Sequence, residues 1–258
     1  MPEPKNLLES IEAGAARGDL IAVVRALNPG SGKSATVTVS HGELLPPLAD
    51  RKLADQVLAA VENLAVRGGV ADLVDALDEQ GSPVTLAIEI IKPKLELLIF
   101  GAGHVGQAVA LIGALIGYDV TVVDDREEFA SRKRLPDPRI GLLVSDYASA
   151  TGKLTISSST VIVIVTRGHQ YDELCLKSVV QSSAAYIGMI GSRKRVLSVF
   201  KKLAAEGASE RDLQRVHAPI GLRIGARSPQ EIAVSILAEI IDHVNNPDHE
   251  RKGERNGI

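Results

Sequence analysis

Residues 97–109, LLIFGAGHVGQAV, decide the fold class of this chain. The apolar LLIF predicts a buried strand, and the glycines at 101, 103 and 106 have the G-x-G-x-x-G spacing that opens a dinucleotide-binding unit. In such a unit the first glycine permits a tight turn, the second lets a phosphate approach the backbone and the third allows close helix packing. The stretch therefore predicts a strand, a phosphate-binding turn and a helix.

The same rhythm continues toward the C-terminus. Apolar strands are predicted at LLIF, DVTVVD, IGLLVS, TVIVIVT and AYIGMIG, with intervals long enough for crossover helices. Ser228, Pro229 and Glu231 then mark the start of a final helix with a capping box. Continuous apolar strands joined by crossovers predict a parallel sheet covered on both faces. We expect an α/β, Rossmann-like domain over residues 97–245 and a disordered tail over 246–258.

The first 92 residues predict a smaller α+β domain. A helix is expected at residues 6–16, a hairpin is formed by the strand at 20–27 and the alternating ATVTVS, and a second helix and a further strand follow at 50–66 and 83–90. The hairpin loop GSGKS is not a Walker A motif, because Leu27 stands where that motif needs a glycine. Lys92, Pro93 and Lys94 form the break between the domains.

Composition limits the possible partners and cofactors. A net charge of −3 gives no general reason to expect nucleic acid or an anionic membrane. Cys175 is the one cysteine, which excludes an internal disulfide and a multi-thiolate metal site built by one chain, and we expect it to be a buried thiol. No H-E-x-x-H motif and no cysteine cluster is present, so no directly held metal is predicted.

Two features of the sequence bear on location. Glu3, Lys5, Glu9 and Glu12 interrupt the region where a secretory signal needs an apolar run, so a cytoplasmic protein is expected. Residues 97–117 are long and apolar enough to suggest a membrane span. Three glycines in the middle of that run favour a strand, a turn and a buried helix instead.

Residues that follow the strands of a parallel sheet converge beyond its carboxyl edge. Here those segments are 101–106, 124–126, 166–169 and 191–195. Asp124, at the end of the second strand, suits a ribose hydroxyl, while Arg126 could offset its repulsion of a 2′-phosphate, so NAD and NADP both stay open. The basic GSRKR at a helix start predicts a second phosphate grip. The predicted cofactor-binding residues are Gly101, Ala102, Gly103, His104, Val105, Gly106, Asp124, Asp125, Arg126, Thr166, His169, Gly191, Ser192 and Arg193.

Such a site allows more than one function. An NAD(P)-dependent oxidoreductase could use His104 or His169 as its acid or base, but no paired His/Asp or Lys/Tyr arrangement stands out, so no catalytic residue is predicted. A non-catalytic nucleotide sensor is a further alternative, in which binding changes the packing of the two domains.

Four segments, taken in order, narrow the choice. LLIFGAGHVGQAVALIGALIGYDVTVVDDREEFA, TRGHQYDELCL, YIGMIGSRKR and VHAPIGLRIGARSPQEIAVSILAEII closely resemble the XdhC/CoxI family of maturation factors for xanthine and carbon monoxide dehydrogenases. The resemblance implies an accessory protein that binds molybdenum cofactor, as molybdopterin or its cytosine dinucleotide form, and delivers it to the apo-subunit of a molybdenum hydroxylase. It also implies a cysteine desulfurase as a partner, two domains and a homodimer.

The N-terminal domain departs from that family. Many members carry Gly-Gly-Cys-x-Glu before the helix, where this chain has ELLPPLADRK at residues 43–52, and a Ser-x-Pro-Arg loop is replaced by GSGKS. A thiolate from this domain therefore cannot ligate molybdenum, and Cys175, in a predicted helix, is a poor replacement. Any cofactor would be held through its pterin and phosphate, or by a partner.

Overall fold

The computed structural model describes Ile11 and residues 21–28, 33–40, 42–91 and 94–246. The chain divides into two compact units, residues 1–94 and 95–258. The predicted break at Lys92–Lys94 immediately precedes this division. The helix expected at residues 6–16 and the disordered tail expected at 246–258 lie outside the described residues, apart from Ile11 and Asn246.

The N-terminal unit is an antiparallel sheet with a helix packed on it. Its described elements are β1 (Ile21–Asn28), β2 (Lys33–Ser40), β3 (Glu43–Leu45), α1 (Arg51–Val66), β4 (Ala71–Leu77) and β5 (Pro83–Ile91). The five strands are ordered β3-β2-β1-β5-β4, so β1 is central. The apolar stripe of α1 (Leu53, Val57, Val61, Leu64) packs against the buried face of the sheet.

The predicted hairpin, helix and strand of this unit are confirmed. β1 and β2 pair from Ile21↔Ser40 to Asn28↔Lys33, and α1 begins after Asp50, whose carboxylate accepts the backbone N–H of Leu53 at 2.8 Å. β4 was not predicted. It is an edge strand whose Leu73 is 71% exposed, so the alternation of apolar and polar residues that signals a half-buried strand is weak there.

The C-terminal unit is a parallel six-stranded sheet. Its strands are β6 (Glu96–Phe100), β7 (Asp119–Asp124), β8 (Gly141–Val144), β9 (Thr160–Ile164), β10 (Tyr186–Met189) and β11 (Val216–His217). Its α-helices are α2 (His104–Leu115), α3 (Tyr147–Ala150), α4 (His169–Val179), α5 (Arg193–Ala205), α6 (Glu210–Gln214) and α7 (Pro229–Asn245). The order β11-β10-β9-β6-β7-β8 is that of a doubly wound dinucleotide-binding sheet. The predicted α/β, Rossmann-like fold is confirmed.

Both faces of this sheet are buried, which explains its continuous apolar strands. Along β6, Leu97 and Ile99 join the core beneath α2 and α7, while Leu98 and Phe100 join the core beneath α4 and α5. Successive side chains of a strand point to opposite faces, so a strand between two layers of helices needs apolar residues at every position.

The final helix begins as predicted. The Ser228 hydroxyl accepts the backbone N–H of Glu231 at 3.2 Å, and the Glu231 carboxylate accepts that of Ser228 at 2.9 Å. The apolar run after residue 97 is divided between β6, a turn and α2. Among the described helices, none has both the length and the apolar character that a membrane crossing requires.

Candidate functional site

A cavity of about 320 Å³ opens at the carboxyl ends of β6 and β9. These neighbouring strands lie where the strand order reverses, because the chain proceeds from β6 to β7 on one side and continues with β9 on the other. Ligands of doubly wound sheets bind in this crevice. The cavity is lined by Gly101, Gly103, His104, Val105, Arg126, Val165, Thr166, Arg167, Ile190 and Pro229.

The glycine turn forms one wall of the cavity. Gly101 has a φ of +113°, and a Cβ at this position would lie 2.5 Å from the carbonyl oxygen of Val165. A Cβ on Gly106 would lie 1.8 Å from the carbonyl oxygen of Gly101, so this glycine is required by the turn itself more than by the packing of the helix on the sheet. A Cβ on Gly103 would meet nothing within 4 Å, which leaves room for a ligand beside the backbone.

Helix α2 begins at this cavity without a side-chain cap, and α4 begins uncapped two residues after the lining residue Arg167. The N-cap residues of α2 and α4 are Gly103 and Gly168, and neither position has a side-chain hydrogen bond to the first turn. The other five α-helices numbered here are capped by the side chains of Asp50, Asp146, Ser192, Ser209 and Ser228. Uncapped N-terminal N–H groups and the positive end of the helix dipole favour an anion.

Asp124, at the end of β7, is wholly buried and its carboxylate is occupied. Arg126 donates from Nε to Oδ1 at 2.9 Å and from Nη2 to Oδ2 at 3.0 Å, and the backbone N–H of Ala102 donates to Oδ2 at 2.7 Å. Burial favours a higher pKa for Asp124, but these hydrogen bonds outweigh burial and lower the pKa below its ordinary value. The carboxylate is ionised, and Arg126, not Asp124, lines the cavity.

A second arginine reaches the cavity from the loop after β9. Arg167 donates from Nη2 to Asp125 at 2.7 Å and to the hydroxyl of Tyr171 at 2.8 Å, and its guanidinium lies 4.6 Å from the centre of the Tyr171 ring. The loop after β7 and the loop after β9 are thus joined by an ion pair. Together the two arginines give the cavity a rim of guanidinium donors, which Asp124 and Asp125 hold in place.

The phosphate grip predicted at the basic segment GSRKR stays a prediction, and one of its arginines, Arg195, is paired within the chain. The Ser192 hydroxyl caps α5 by accepting the backbone N–H of Arg195 at 3.3 Å. The Arg195 guanidinium forms an ion pair with Asp172 of α4, which is fully buried and also accepts the hydroxyl of Thr166. The anion that balances Arg195 is therefore a carboxylate of the same chain.

The predicted site residues divide into three groups in the structure. Those that line the cavity are Gly101, Gly103, His104, Val105, Arg126 and Thr166. Those that lie behind this wall or outside the lining set are Ala102, Gly106, Asp124, Asp125, Gly191, Ser192 and Arg193. His169 begins α4, and its side chain lies outside the described part of the chain.

Sequence reasoning did not single out four lining residues. Arg167 falls inside the predicted segment 166–169, and its positive charge at a strand end could have marked it as a residue that binds an anion. Val165 directly follows β9, Ile190 directly follows β10, and Pro229 begins α7. Val165 and Ile190 adjoin predicted strand-end segments, whereas Pro229 reaches the cavity only through tertiary packing, so no local pattern marks it as a lining residue.

The segment HAPIGL, residues 217–222, does not line the cavity and has a structural role instead. Glu239 of α7 accepts the Tyr186 hydroxyl at 2.6 Å and the backbone N–H of Gly221 at 2.8 Å, and its carboxylate lies 3.3 Å from His217 Nδ1. The His217 ring stacks on Tyr186 with centroids 4.4 Å apart. This network joins the edge strand β11 to α7.

Cys175 is buried in α4, as expected, and burial raises the pKa of its thiol far above the ordinary value. A buried, protonated thiol is a poor nucleophile and a poor metal ligand. Within the described residues there is no cluster of three or more His, Cys, Asp or Glu side chains arranged to hold a metal ion.

Comparison with known proteins adds a family to this geometry. The model of the XdhC Rossmann domain matches residues 97–240. The chain is 31% identical over 204 residues to the uncharacterized protein YqeB of Escherichia coli K12, covering 77% of this chain and 37% of that protein. It is 30% identical to a protein of Bacillus subtilis 168 described as a probable subunit of xanthine dehydrogenase, covering 60% of this chain and 44% of that protein.

A third relative and a solved structure were also found. The molybdenum cofactor insertion chaperone PaoD of Escherichia coli K12 is 23% identical over 58% of this chain and 40% of that protein. The crystal structure of a xanthine dehydrogenase from Bacillus halodurans superposes with a TM-score of 0.68 at 20% identity, covering 99% of this chain and 71% of that one, and so supports the fold. The chain spans less than half the length of the curated relatives it matches. The domain model covers more than half of the chain, and the strand order and glycine turn described above are those of a Rossmann domain. The chain therefore belongs to the XdhC family.

Proposed function

We propose that this chain is a maturation factor that binds molybdenum cofactor in the crevice between β6 and β9 and assists its sulfuration or insertion into a molybdenum hydroxylase of the xanthine or carbon monoxide dehydrogenase type. The cofactor is cargo, and the client is the apo-subunit of the hydroxylase. Two relatives support this role, one named for xanthine dehydrogenase and the other named as a molybdenum cofactor insertion chaperone.

One observation carries the proposal. Helix α2, which lacks a side-chain cap, begins at the cavity, and Arg126 and Arg167 stand on the cavity rim. Molybdopterin carries a phosphate, and its cytosine dinucleotide form carries two. Backbone N–H groups at helix starts together with guanidinium groups are the donors that phosphate binding uses.

The described residues fit the phosphate end of this cargo better than its metal. The cavity offers N–H and guanidinium donors, while Cys175 is buried in α4 and the segment before α1 contains no cysteine. We therefore propose that the pterin phosphate is the handle, and that the molybdenum is ligated by its dithiolene and by the client or a cysteine desulfurase. A homodimer, as the family resemblance implies, is part of the same proposal.

The alternative of an NAD(P)-dependent oxidoreductase has less support. The glycine turn and the strand order favour it, but the carboxylate expected to bind the ribose is buried and occupied. Binding of a ribose by Asp124 therefore stays a prediction and would require Arg126 to move away.

The test is a calorimetric titration of the purified protein under anaerobic conditions with molybdopterin. Arg167→Ala is compared with Arg139→Ala, because Arg139 also pairs with an aspartate of its own loop, at 2.7 Å, but does not line the cavity. We expect molybdopterin to bind the wild type and the Arg139 variant alike, and to bind the Arg167 variant at least about tenfold more weakly, since one charge-assisted donor is lost.

A second readout follows the client. The apo form of a xanthine dehydrogenase is incubated with the loaded protein, and recovered hydroxylase activity is measured. If the wild type binds no molybdopterin and associates with no hydroxylase polypeptide, the proposed function is wrong. Binding that is lost equally in both arginine variants would place the site elsewhere.

A further inference from the structure

We propose that Arg126 determines the ligand specificity of the crevice: it covers Asp124, so that the site accepts a phosphate-bearing ligand and discriminates against a nucleotide with an unsubstituted ribose. The acceptance of phosphate rests on the proposed function, whereas the discrimination against ribose rests on the geometry of Arg126 alone.

Asp124 stands at the end of β7. In a dinucleotide-binding sheet this position presents a carboxylate, which accepts hydrogen bonds from the ribose hydroxyls. Here Asp124 has no exposed surface, and its two oxygens accept hydrogen bonds from the Arg126 guanidinium, the Arg126 backbone N–H at 3.1 Å and the Ala102 backbone N–H. No oxygen of Asp124 faces a hydroxyl that entered the cavity.

The covering side chain is itself held. The Arg126 guanidinium lies 3.4 Å from the centre of the Phe129 ring, and its side chain is 25% exposed. The ion pair with Asp124, the hydrogen bond from the Arg126 backbone N–H and the contact with the Phe129 ring all favour the same side-chain conformation of Arg126. A ribose would have to replace two hydrogen bonds from a cation to the carboxylate by two from uncharged hydroxyls, and would leave the guanidinium without its ion pair.

The consequence is a change of polarity at this end of the crevice. A guanidinium has five N–H donors, and the Asp124 carboxylate takes hydrogen bonds from Nε and Nη2 only. The donors that remain belong to a residue that lines the cavity. Where a dinucleotide-binding site offers an acceptor for hydroxyls, this site offers donors for an anion.

Calorimetry with two probes, NAD and inorganic pyrophosphate, tests the proposal. The wild type is expected to bind pyrophosphate, and to bind NAD no more tightly than pyrophosphate. Arg126→Ala exposes Asp124 and removes a donor, so NAD should bind more tightly and pyrophosphate more weakly, and the ratio of the two affinities should change in favour of NAD on the order of tenfold or more. Changes in opposite directions cannot result from a general loss of folding.

Arg134→Ala is the matched control. Arg134 also lies over Phe129, at 4.1 Å, and is not among the residues that pair with Asp124. It should keep the wild-type ratio. If the alanine variant at 126 does not fold, Arg126→Lys keeps a cation beside Asp124 but loses the planar two-point pair, and it should give a smaller change in the same direction.

Several results would overturn the proposal. One is wild-type binding of NAD at least about tenfold more tightly than pyrophosphate; another is an unchanged ratio in a folded variant at 126. A lack of pyrophosphate binding at millimolar concentration would remove the anion site and would also overturn the proposal, whereas NADP binding that depends on Arg126 would support it, because the ribose of NADP is phosphorylated. A failure of molybdopterin to bind would refute the proposed function but leave the NAD comparison readable.

Discussion

Replacement of Gly106 by alanine is expected to destabilise the C-terminal unit, although alanine favours helices. The added Cβ would lie 1.8 Å from the carbonyl oxygen of Gly101 and 3.0 Å from its carbonyl carbon. Neither atom belongs to a flexible side chain. The turn is fixed by hydrogen bonds from Gly101 N–H to the Val123 carbonyl at 2.8 Å and from Ala102 N–H to Asp124 at 2.7 Å. The clash must therefore be relieved by a shift of the backbone.

The magnitude follows from two opposing effects. Overpacking of a tight site costs about 1–3 kcal/mol, and a contact this short with backbone favours the upper end of that range. Alanine gains about 1 kcal/mol over glycine inside a helix. The net loss is about 2 kcal/mol, which for a unit of this size corresponds to a decrease in Tm of about 4–8 °C.

The assay is urea unfolding followed by circular dichroism at 222 nm, because the chain has no tryptophan. The control is Gly103→Ala, whose Cβ would meet nothing within 4 Å. Loss of a glycine N-cap is expected to cost that variant less than about 1 kcal/mol. Its pyrophosphate binding should nevertheless weaken, since the methyl group occupies space beside the backbone that a phosphate would use.

A free energy of unfolding for the Gly106 variant within about 0.5 kcal/mol of the wild type would refute this reasoning. So small a change is typical of surface substitutions and is incompatible with a clash between the added Cβ and the Gly101 carbonyl. Equal destabilisation by the two alanine substitutions would also refute it.

Three further outcomes are expected. Asp172→Asn should reduce the free energy of unfolding by about 3–5 kcal/mol, because it leaves the Arg195 charge buried without its partner. The control Glu206→Gln changes an exposed ion pair and should leave the urea midpoint nearly unchanged. Urea unfolding measures both variants, and similar losses would contradict a buried ion pair between Asp172 and Arg195. The pKa of Asp124 is lowered from its ordinary value of 3.8, so near that pH the unfolded chain binds more protons than the folded one. The urea midpoint should therefore fall as the pH decreases from 5 to 3, and it should fall less in Asp124→Asn. Equal slopes in the two proteins would argue against a buried, hydrogen-bonded carboxylate. Cys175 should not react with a disulfide reagent such as DTNB in native buffer and should react fully in denaturant, and fast reaction of the native protein would show that the thiol is accessible.

The C-terminal fold follows from patterns that are local. A continuous apolar strand such as β6, a glycine-rich turn and an amphipathic or apolar helix each have a recognisable pattern within a short window, and the capping box of α7 lies within four residues. Elements with weaker local signals were missed. β4 is an edge strand with exposed leucine side chains, and β11 has only two residues, so neither shows a usable periodicity.

The candidate site could be predicted as a set of segments but not as a set of contacts. The carboxyl ends of parallel strands must converge, which placed the glycine turn and Arg126 at one edge of the sheet. The phosphate grip expected at Gly191, Ser192 and Arg193 stays a prediction, and the spacing of GSRKR did not reveal that Arg195 pairs with Asp172 of another helix. Pro229 completes the cavity from the start of α7, which no rule about strand ends connects with the glycine turn.

The sequence by itself determined that residues 97–109 form a strand, a phosphate-type turn and a helix start, because Gly101 has a φ of +113° and Gly106 lies against the carbonyl group of Gly101 in the same turn. It also determined the family, through motifs that extend along the chain. Only the tertiary structure decided what the end of β7 presents to a ligand. Asp124 and Ala102 are 22 residues apart, and the burial of their hydrogen bond beneath Arg126 depends on the packing of two strands and the Phe129 ring, which no local pattern encodes.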